Sequence, residues 1–183
     1  SSITKSGNVY TLGVSLSGTP NGSEVLKVVP VDNGIYDGAG NEASTTQSNN
    51  TKNLNDKLAP TITSVSLASD NTSLSVTISE AVYNTNGGSG NLEKEDFVLS
   101  ISGGVATLSS STPSSITQSG NVYTLAFSLS GTPNGSEVLK VVPVDNGIYD
   151  AVGNEASTTQ SNNTKNLNDQ TKPVIGSVVF ADD

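Results

Sequence analysis

The chain contains no cysteine, methionine, tryptophan or histidine, and all eight of its basic residues are lysine, so arginine is absent as well. Without histidine and cysteine, the commonest general bases, thiol nucleophiles and zinc ligands are missing. Without arginine, no side chain can clamp a phosphate or a carboxylate in bidentate fashion. An enzyme is therefore the least expected class of function. The lack of cysteine also excludes a disulfide framework and leaves the cellular compartment undecided.

Positive charge and long apolar runs are scarce too. The formal net charge is −9, and an acidic chain repels the phosphate backbone, so we expect no nucleic-acid partner. No run approaches the roughly 18 consecutive apolar residues of a membrane span, so we expect no membrane insertion. The hydrophobic residues, 33% of the chain, are concentrated in short alternating runs, which favour β-sheets.

A long internal repeat organises the chain. Residues 1–57 align with residues 114–170 at an offset of 113, and only six positions differ. We interpret residues 58–170 as one complete module, residues 1–57 as the C-terminal half of a preceding module, and residues 171–183 as the first strand of a following one. The differing pairs are Lys5/Gln118, Gly13/Ala126, Val14/Phe127, Gly38/Ala151, Ala39/Val152 and Lys57/Gln170.

The complete module is predicted to contain about seven strands, named A to G, each bounded by Gly, Asn, Ser or Pro. In strand E, the side chains of Tyr123, Leu125, Phe127 and Leu129 alternate with small or polar ones and would share one buried face. Seven short strands in a chain of this length predict an all-β, immunoglobulin-like β-sandwich. The predicted strands are 61–68, 73–79, 96–103, 105–110, 121–130, 137–144 and a last one within 157–168, with one helical turn at 92–96.

Two stretches carry a resemblance to a known family. They are APTITSVSLASDNTSLSVTISEAVY, residues 59–83, and IYDAVGNEAS, residues 148–157. A proline opens strand A, an SEAV segment ends strand B, and a D-x-x-G-N turn follows strand F. This order resembles the bacterial Ig-like domains of S-layer proteins and large repetitive surface adhesins. The resemblance implies an extracellular, cell-surface stalk or adhesive role, with neighbouring modules as partners, and some relatives bind calcium.

Acidic residues are predicted to gather at one end of the module. Because strands alternate in direction in an Ig-like sandwich, the B–C and F–G connections share the end at which strand A begins. Calcium takes six to eight oxygen ligands from such loops, so we predict a Ca²⁺ site there. The linker LNDKLAP also resembles the linkers of cadherins, where calcium stiffens the joint. The candidate ligands are Asp56 in the linker, Glu80 and Asp96 in the B–C region, Asp145 and Asp150 in the F–G region, their copies Asp32 and Asp37, and Asp169 at the next joint.

A second interpretation of the same residues involves no metal. Asp or Asn followed by Gly is an ordinary turn former. The segments Asp145-Asn146-Gly147 and Gly153-Asn154 could therefore form turns alone, with Asp150 accepting hydrogen bonds from backbone amides. The sequence leaves both interpretations open.

Three functions follow from these patterns. The leading one is a structural, extender-type repeat in a long extracellular array, in which modules contact mainly their neighbours. The second is a subunit of a strand-exchanged, head-to-tail filament, because the two chain ends together hold strands D to G and A but lack B and C, and exposed sheet edges invite pairing with other copies of the chain. The third is an adhesin module that binds a ligand through its loops.

Overall fold

The computed structural model describes residues 2–181, and the chain divides after Leu58 into two compact units, called here unit 1 and unit 2. Both units are built from small antiparallel sheets, and the described residues form a single helical element, a 3₁₀ turn at Lys94–Asp96. No helix of this described part has the length and apolar character needed to cross a membrane. Residue 1 of the predicted half module and residues 182 and 183 of the predicted following strand lie outside the described range.

Unit 1 consists of two antiparallel strand pairs. Strand β1, Ile3–Ser6, pairs with β2, Val9–Leu12, so that Ile3 lies opposite Leu12. Strand β3, Val25–Lys27, pairs with β4, Thr51–Asn53.

Unit 2 contains nine short strands arranged in two larger sheets and one small pair. The first sheet has the order β5-β6-β10-β9, the second has the order β13-β12-β7, and β8 pairs with β11. This arrangement is compatible with a β-sandwich. The strands are β5 (Ile62–Leu67), β6 (Ser73–Ile78), β7 (Phe97–Ser102), β8 (Thr107–Leu108), β9 (Ser115–Ser119), β10 (Val122–Ala126), β11 (Leu129–Ser130), β12 (Val138–Pro143) and β13 (Thr164–Asn166).

The core of unit 2 lies between the two larger sheets. Alternate residues of β6 and β10 are buried, as their period-two pattern predicts. Across the core, the ring of Phe97 on β7 packs against the ring of Tyr123 on β10, with 6.2 Å between the centroids. The inward face predicted for strand E is thereby confirmed for Tyr123, Leu125 and Phe127, which are all buried.

The strand prediction fails at three places, each for a physical reason. Predicted strand E is divided in two: Phe127 still donates to the Thr72 carbonyl in the register of β10 and β6, but two residues later Leu129, which is only partly buried, pairs with Leu108 of β8 instead. Strand β9 was not predicted, because the sequence SITQS holds only one apolar residue. In residues 171–181, where the opening strand of a following module was predicted, the structure assigns no strand.

The two near-identical segments fold into the same strand pairs. Strands β9 and β10 of unit 2 have the register of β1 and β2, since Ile116 lies opposite Leu125 as Ile3 lies opposite Leu12. Strands β12 and β13 likewise repeat the register of β3 and β4. The two near-identical segments therefore share the register of these strand pairs as well as their sequence.

A buried carboxylate fastens the loop before β8 to the start of β12. Glu137 is fully buried, and its carboxylate accepts hydrogen bonds from the backbone N–H groups of Val105 (2.9 Å), Ala106 (3.0 Å) and Asn134 (3.1 Å). Gly104 adopts φ +60°, and a Cβ there would lie 2.2 Å from the Glu137 carboxyl carbon, so only glycine allows this approach. Burial raises the pKa of Glu137, but the backbone hydrogen bonds outweigh burial and lower the pKa from 4.5 to about 2.

We expect Glu137→Gln to lower the melting temperature of unit 2 by several degrees at neutral pH, because the amide donates toward N–H groups that need an acceptor. Since the folded-state pKa is depressed, the stabilisation by Glu137 is complete above pH 4.5 and is lost as the pH falls toward about 2. Thermal melts of both proteins from pH 7 to pH 2 measure this. The control is Glu24→Gln, because Glu24 is the exposed copy in unit 1. A melting-temperature gap that stays constant down to pH 2 would contradict the assignment.

Candidate functional site

The predicted calcium site lies at the end of unit 2 where β5 begins. The Thr61 carbonyl accepts from the Ser79 N–H (2.9 Å), which ties the start of β5 to the end of β6. The Ile62 N–H donates to the side-chain carbonyl of Gln160 (2.8 Å). The start of strand A therefore lies beside both the B–C and the F–G regions.

The B–C and F–G regions also contact each other directly. Tyr83 and Tyr149 exchange two backbone hydrogen bonds, of 2.7 and 2.8 Å. The Val144 N–H donates to the Asp96 carbonyl (2.9 Å). The two connections thus meet at one end of unit 2, which brings carboxylates that are distant in the sequence close together.

Glu80 and Asp150 are two of these carboxylates that the structure brings together. One carboxylate oxygen of each lies within 4.8 Å of the other, which is a separation that two ligands of one calcium ion can have. Glu80 is half-buried two residues after β6, and Asp150 is only 1% exposed. The linker candidate Asp56 belongs to unit 1, where its carboxylate accepts from the Leu58 N–H (2.9 Å).

Asp150 also holds the D-x-x-G-N turn together. Its Oδ1 accepts from the N–H groups of Val152 (2.9 Å) and Asn154 (2.8 Å), and its Oδ2 accepts from the Asn154 side-chain amide (2.7 Å). Gly153 adopts φ +92°, a conformation that favours glycine. A carboxylate has about four acceptor positions, so Oδ2 keeps one for a further partner. The turn function of Asp150 is therefore observed, and it leaves room for one metal contact.

Asp37 makes the same turn in unit 1. Its carboxylate accepts from the N–H groups of Ala39 and Asn41 and from the Asn41 side-chain amide, all between 2.8 and 2.9 Å. The side-chain hydrogen bond from Asn41, followed by the backbone ones, lowers the pKa of Asp37. Because this carboxylate is exposed and still makes all three bonds, the turn does not require the rest of the sandwich.

Asp96 lies at the same end of unit 2, but its carboxylate binds the start of the 3₁₀ turn. It is half-buried, and its Oδ2 accepts from the Glu93 N–H (2.7 Å) at the start of the 3₁₀ turn. Burial raises the pKa of Asp96, the Glu93 hydrogen bond opposes this, and the carboxylates of Glu93 and Glu95 raise it further. The helical turn predicted at 92–96 is thus present and is fixed by Asp96.

The surrounding loop is electrostatically negative. Burial raises the pKa of the Tyr149 phenol, and the carboxylates of Glu155 and Asp145 raise it further. The Glu155 carboxylate also accepts from the Asn146 N–H (2.6 Å).

The remaining predicted ligands make local contacts. Asp145 and its copy Asp32 are exposed, and each accepts from the side-chain amide of the following asparagine (3.0 Å). Asp169 is exposed and accepts from the Thr171 N–H (2.7 Å). Among the predicted ligands within unit 2, the structure brings Glu80 and Asp150 together.

The sequence analysis missed a polar clasp at the opposite end of unit 2. Asn71, buried and at φ +58°, donates its side-chain amide to the Asn168 carbonyl (2.8 Å), and its own side-chain oxygen accepts from the Asn168 N–H (2.9 Å). This clasp fastens the turn between β5 and β6 to the segment that follows β13. The only sequence signal was an asparagine in a turn, which is too common to single out.

Comparisons of the chain with protein-family models, with curated proteins and with solved structures each return no match. A function for the chain therefore rests on the repeat and on the geometry described above.

We expect Asp150→Ala to destabilise unit 2 by about 1–3 kcal/mol, because it leaves the partly buried backbone N–H groups of the F–G turn without the buried carboxylate that accepts from them. Chemical denaturation followed by tyrosine fluorescence measures the change. The matched control is Asp37→Ala, which removes the same turn contacts at an exposed position and should change stability by less than about 1 kcal/mol. Equal losses in the two variants would show that burial of this carboxylate is unimportant.

Proposed function

We propose that the chain is a structural, extender-type repeat of an extracellular bacterial surface adhesin or fibre, built from Ig-like modules that calcium stiffens at their junctions. The observation that carries the proposal is the repeat itself. Two segments offset by 113 residues differ at six positions and form the same strand pairs in the same register. Repetition of one module lengthens a protein, which suits a spacer function better than a catalytic one.

The strand order of unit 2 supports the Ig-like part of the proposal. In constant-type immunoglobulin domains, one sheet has the order A-B-E-D and the other contains C, F and G. The sheets β5-β6-β10-β9 and β13-β12-β7 have this order if β5, β6, β7, β9, β10, β12 and β13 are taken as A to G. In this assignment strand D is β9, and β8, which falls in the run 105–110 predicted as strand D, lies in the connection between C and D. Its partner β11 lies in the connection between E and F.

The exit segment of the module supports an extender role. In unit 2, the Gln170 N–H donates to the Pro133 carbonyl (2.9 Å), and the Gln170 side-chain amide donates to the Ser69 carbonyl (3.1 Å). In unit 1, the Lys57 N–H donates to the Pro20 carbonyl in the same way (2.9 Å). A linker that is hydrogen-bonded to its own module has few free torsions, and this favours a stalk over a flexible tether.

The pair of Glu80 and Asp150 supports the proposed calcium ligation. Both carboxylates lie on the negative loops where β5 begins, and calcium would offset their mutual repulsion. We include Asp56 as a third ligand on the basis of chain order alone, since it precedes by four residues the proline that opens the module. Asp96 and Asp145 are further candidate ligands at this end, and Asp169 is the candidate ligand at the next joint.

The strand-exchanged filament is a second candidate, because unit 1 exposes apolar side chains along its strands. A ligand-binding adhesin module is the third candidate, and a glycan array probed with the folded chain tests it directly. The extender role is preferred, because it explains both the repeat and the hydrogen bonds that hold each linker against its own module.

We expect calcium to raise the melting temperature of the chain and a chelator to remove the increase. Extracellular calcium modules bind with dissociation constants of about 10⁻⁴–10⁻³ M, so 10 mM calcium would stabilise the folded state by about 1.4–2.7 kcal/mol. Differential scanning calorimetry with calcium, magnesium and chelator measures this.

The variants for this experiment separate metal binding from the turn function of Asp150. Glu80→Gln and Asp56→Asn should each abolish the calcium-dependent increase, whereas Asp70→Asn, which removes an exposed acid on the turn between β5 and β6, should retain it. Melting curves that coincide with and without calcium would reject the calcium part of the proposal.

A further inference from the structure

The chain enters unit 2 at the start of β5 and leaves it after β13, at the opposite end, where the clasp of Asn71 and Asn168 lies. In an extended array, tension would pull β5 toward the first end and β13 toward the second. The hydrogen bonds of an antiparallel ladder lie across the strands, so they share a load that is applied along them. Strand β5 has six residues and β13 has three, so the ladder of the exit strand is the weaker one.

The clasp reinforces the exit segment immediately after β13. Besides the two hydrogen bonds of Asn71 with the Asn168 backbone, the Asn168 side-chain amide donates to the Ala68 carbonyl (3.0 Å) and to the Asn71 side-chain oxygen (3.1 Å). The Gln170 side-chain amide binds the same turn through the Ser69 carbonyl (3.1 Å). A pull on the exit segment is therefore passed to the turn between β5 and β6, and from there to the ladder that joins these two strands.

An amide side chain also ties the other end of the β5–β6 hairpin to the last connection of unit 2. The Gln160 side-chain oxygen accepts from the Ile62 N–H (2.8 Å), and its amide group donates to the Ser157 carbonyl (2.7 Å), which holds the side chain in place. The partners of the clasp are 97 residues apart in the chain, and Ile62 and Gln160 are 98 residues apart. These bonds thus join the first hairpin of unit 2 to its last segment.

We propose that the clasp of Asn71 and Asn168 is a mechanical latch, which makes unit 2 resist tension between its two ends. The inference rests on the proposed extender role, because that role places the module under tension. While the clasp is closed, a load on the exit segment is shared with the ladder of β5 and β6. Once the clasp opens, the load falls on the three-residue ladder of β13 with β12, and Leu167, a core residue directly after β13, is pulled from the core.

Asn71 suits this position for two reasons. Its backbone adopts φ +58°, a left-handed conformation that asparagine tolerates better than most residues with a side chain. Its side-chain amide offers a donor and an acceptor together, so it pairs with both the carbonyl and the N–H of Asn168, as a neighbouring strand would. Glycine also adopts this backbone conformation but has no side chain, so Asn71→Gly removes these bonds without straining the turn.

The experiment measures the unfolding of unit 2 at constant force in optical tweezers, with a chelator present so that calcium has no part in the result. Because the chain contains no cysteine, Lys57→Cys and Lys172→Cys provide specific attachment points on either side of unit 2 and leave unit 1 unloaded. Asn71→Gly should raise the unfolding rate at constant force by roughly tenfold or more, since buried hydrogen bonds are lost from the loaded path. The 97 residues between the clasp partners, which span about 330 Å when extended, should be released in each unfolding event.

Two controls separate a mechanical role from ordinary stabilisation. Glu137→Gln removes a buried clamp whose carboxylate binds neither β5 nor the exit segment, so it should lower the melting temperature but change the unfolding rate under force less than Asn71→Gly does. The second control is the pulling direction. With attachment at Lys94→Cys, in the 3₁₀ turn before β7, and at Lys140→Cys, on β12, the clasp lies outside the direct path of the load. The effect of Asn71→Gly should then be much smaller.

Two results would overturn the latch: equal increases in unfolding rate for Asn71→Gly and Glu137→Gln per degree of melting temperature lost, or an effect of Asn71→Gly that is the same in both pulling directions. If Asn71→Gly does not fold, Asn168→Ala, which removes the side-chain bonds to Ala68 and Asn71, is measured against the same criteria. A wild-type unit 2 that resists force but is insensitive to these variants would overturn the latch and leave the extender role standing. A wild-type unit 2 that extends without measurable resistance would contradict both.

Discussion

The structure depends on one requirement, which is that the apolar face of strand β10 be covered from two directions. Strand β6 covers it from the side within the same sheet, and β7 covers it from the opposite sheet through the contact of Phe97 with Tyr123. Where both covers are present, in unit 2, alternate residues of the strand are fully buried. Where they are missing, in unit 1, the same residues form a hairpin of the same register with its apolar side exposed. Hydrogen bonds between the neighbouring strands determine the register of the hairpin in both units. Burial of its apolar face, which occurs in unit 2, makes the hairpin part of a hydrophobic core.

Carboxylates hold loops of this structure in position, so part of the acidic composition has a structural role. Glu137 is fully buried and satisfied by backbone N–H groups, and Asp150 closes the D-x-x-G-N turn at the other end of unit 2. Both are charged groups that a purely apolar core could not accommodate without such donors. The turn interpretation and the calcium interpretation of Asp150 are compatible, because three donors occupy three of its acceptor positions and leave one for a cation. Calcium would then add to a loop that is already ordered.

Strands with a clear apolar alternation could be predicted from the sequence, and strands without it could not. Predicted strands B, C and F match β6, β7 and β12 closely, since each places apolar residues at every second position. Strand β9 is polar at four of five positions and pairs only because β10 lies beside it. The break between β10 and β11 depends on β8, a strand distant in the sequence, with which Leu129 pairs. For the candidate site, the alternation of strand directions predicted that the B–C and F–G loops meet and placed Glu80 and Asp150 among the candidate ligands, but it did not single out this pair from the other carboxylates.

By itself, the sequence determined the period of 113 residues, the all-β class, the absence of the residue types that most enzyme chemistry needs, and the apolar face of each main strand. These follow from composition and from patterns within a few residues, where steric and hydrophobic preferences act locally. Only the tertiary structure decided which carboxylates approach one another, which of them serve turns, and that Glu137 is a buried clamp. Those properties depend on contacts between residues far apart in the chain, and such contacts are set by strand order and packing. The same physical reason explains why two nearly identical segments differ in burial, since residues 59–113 pack against residues 114–170 within unit 2.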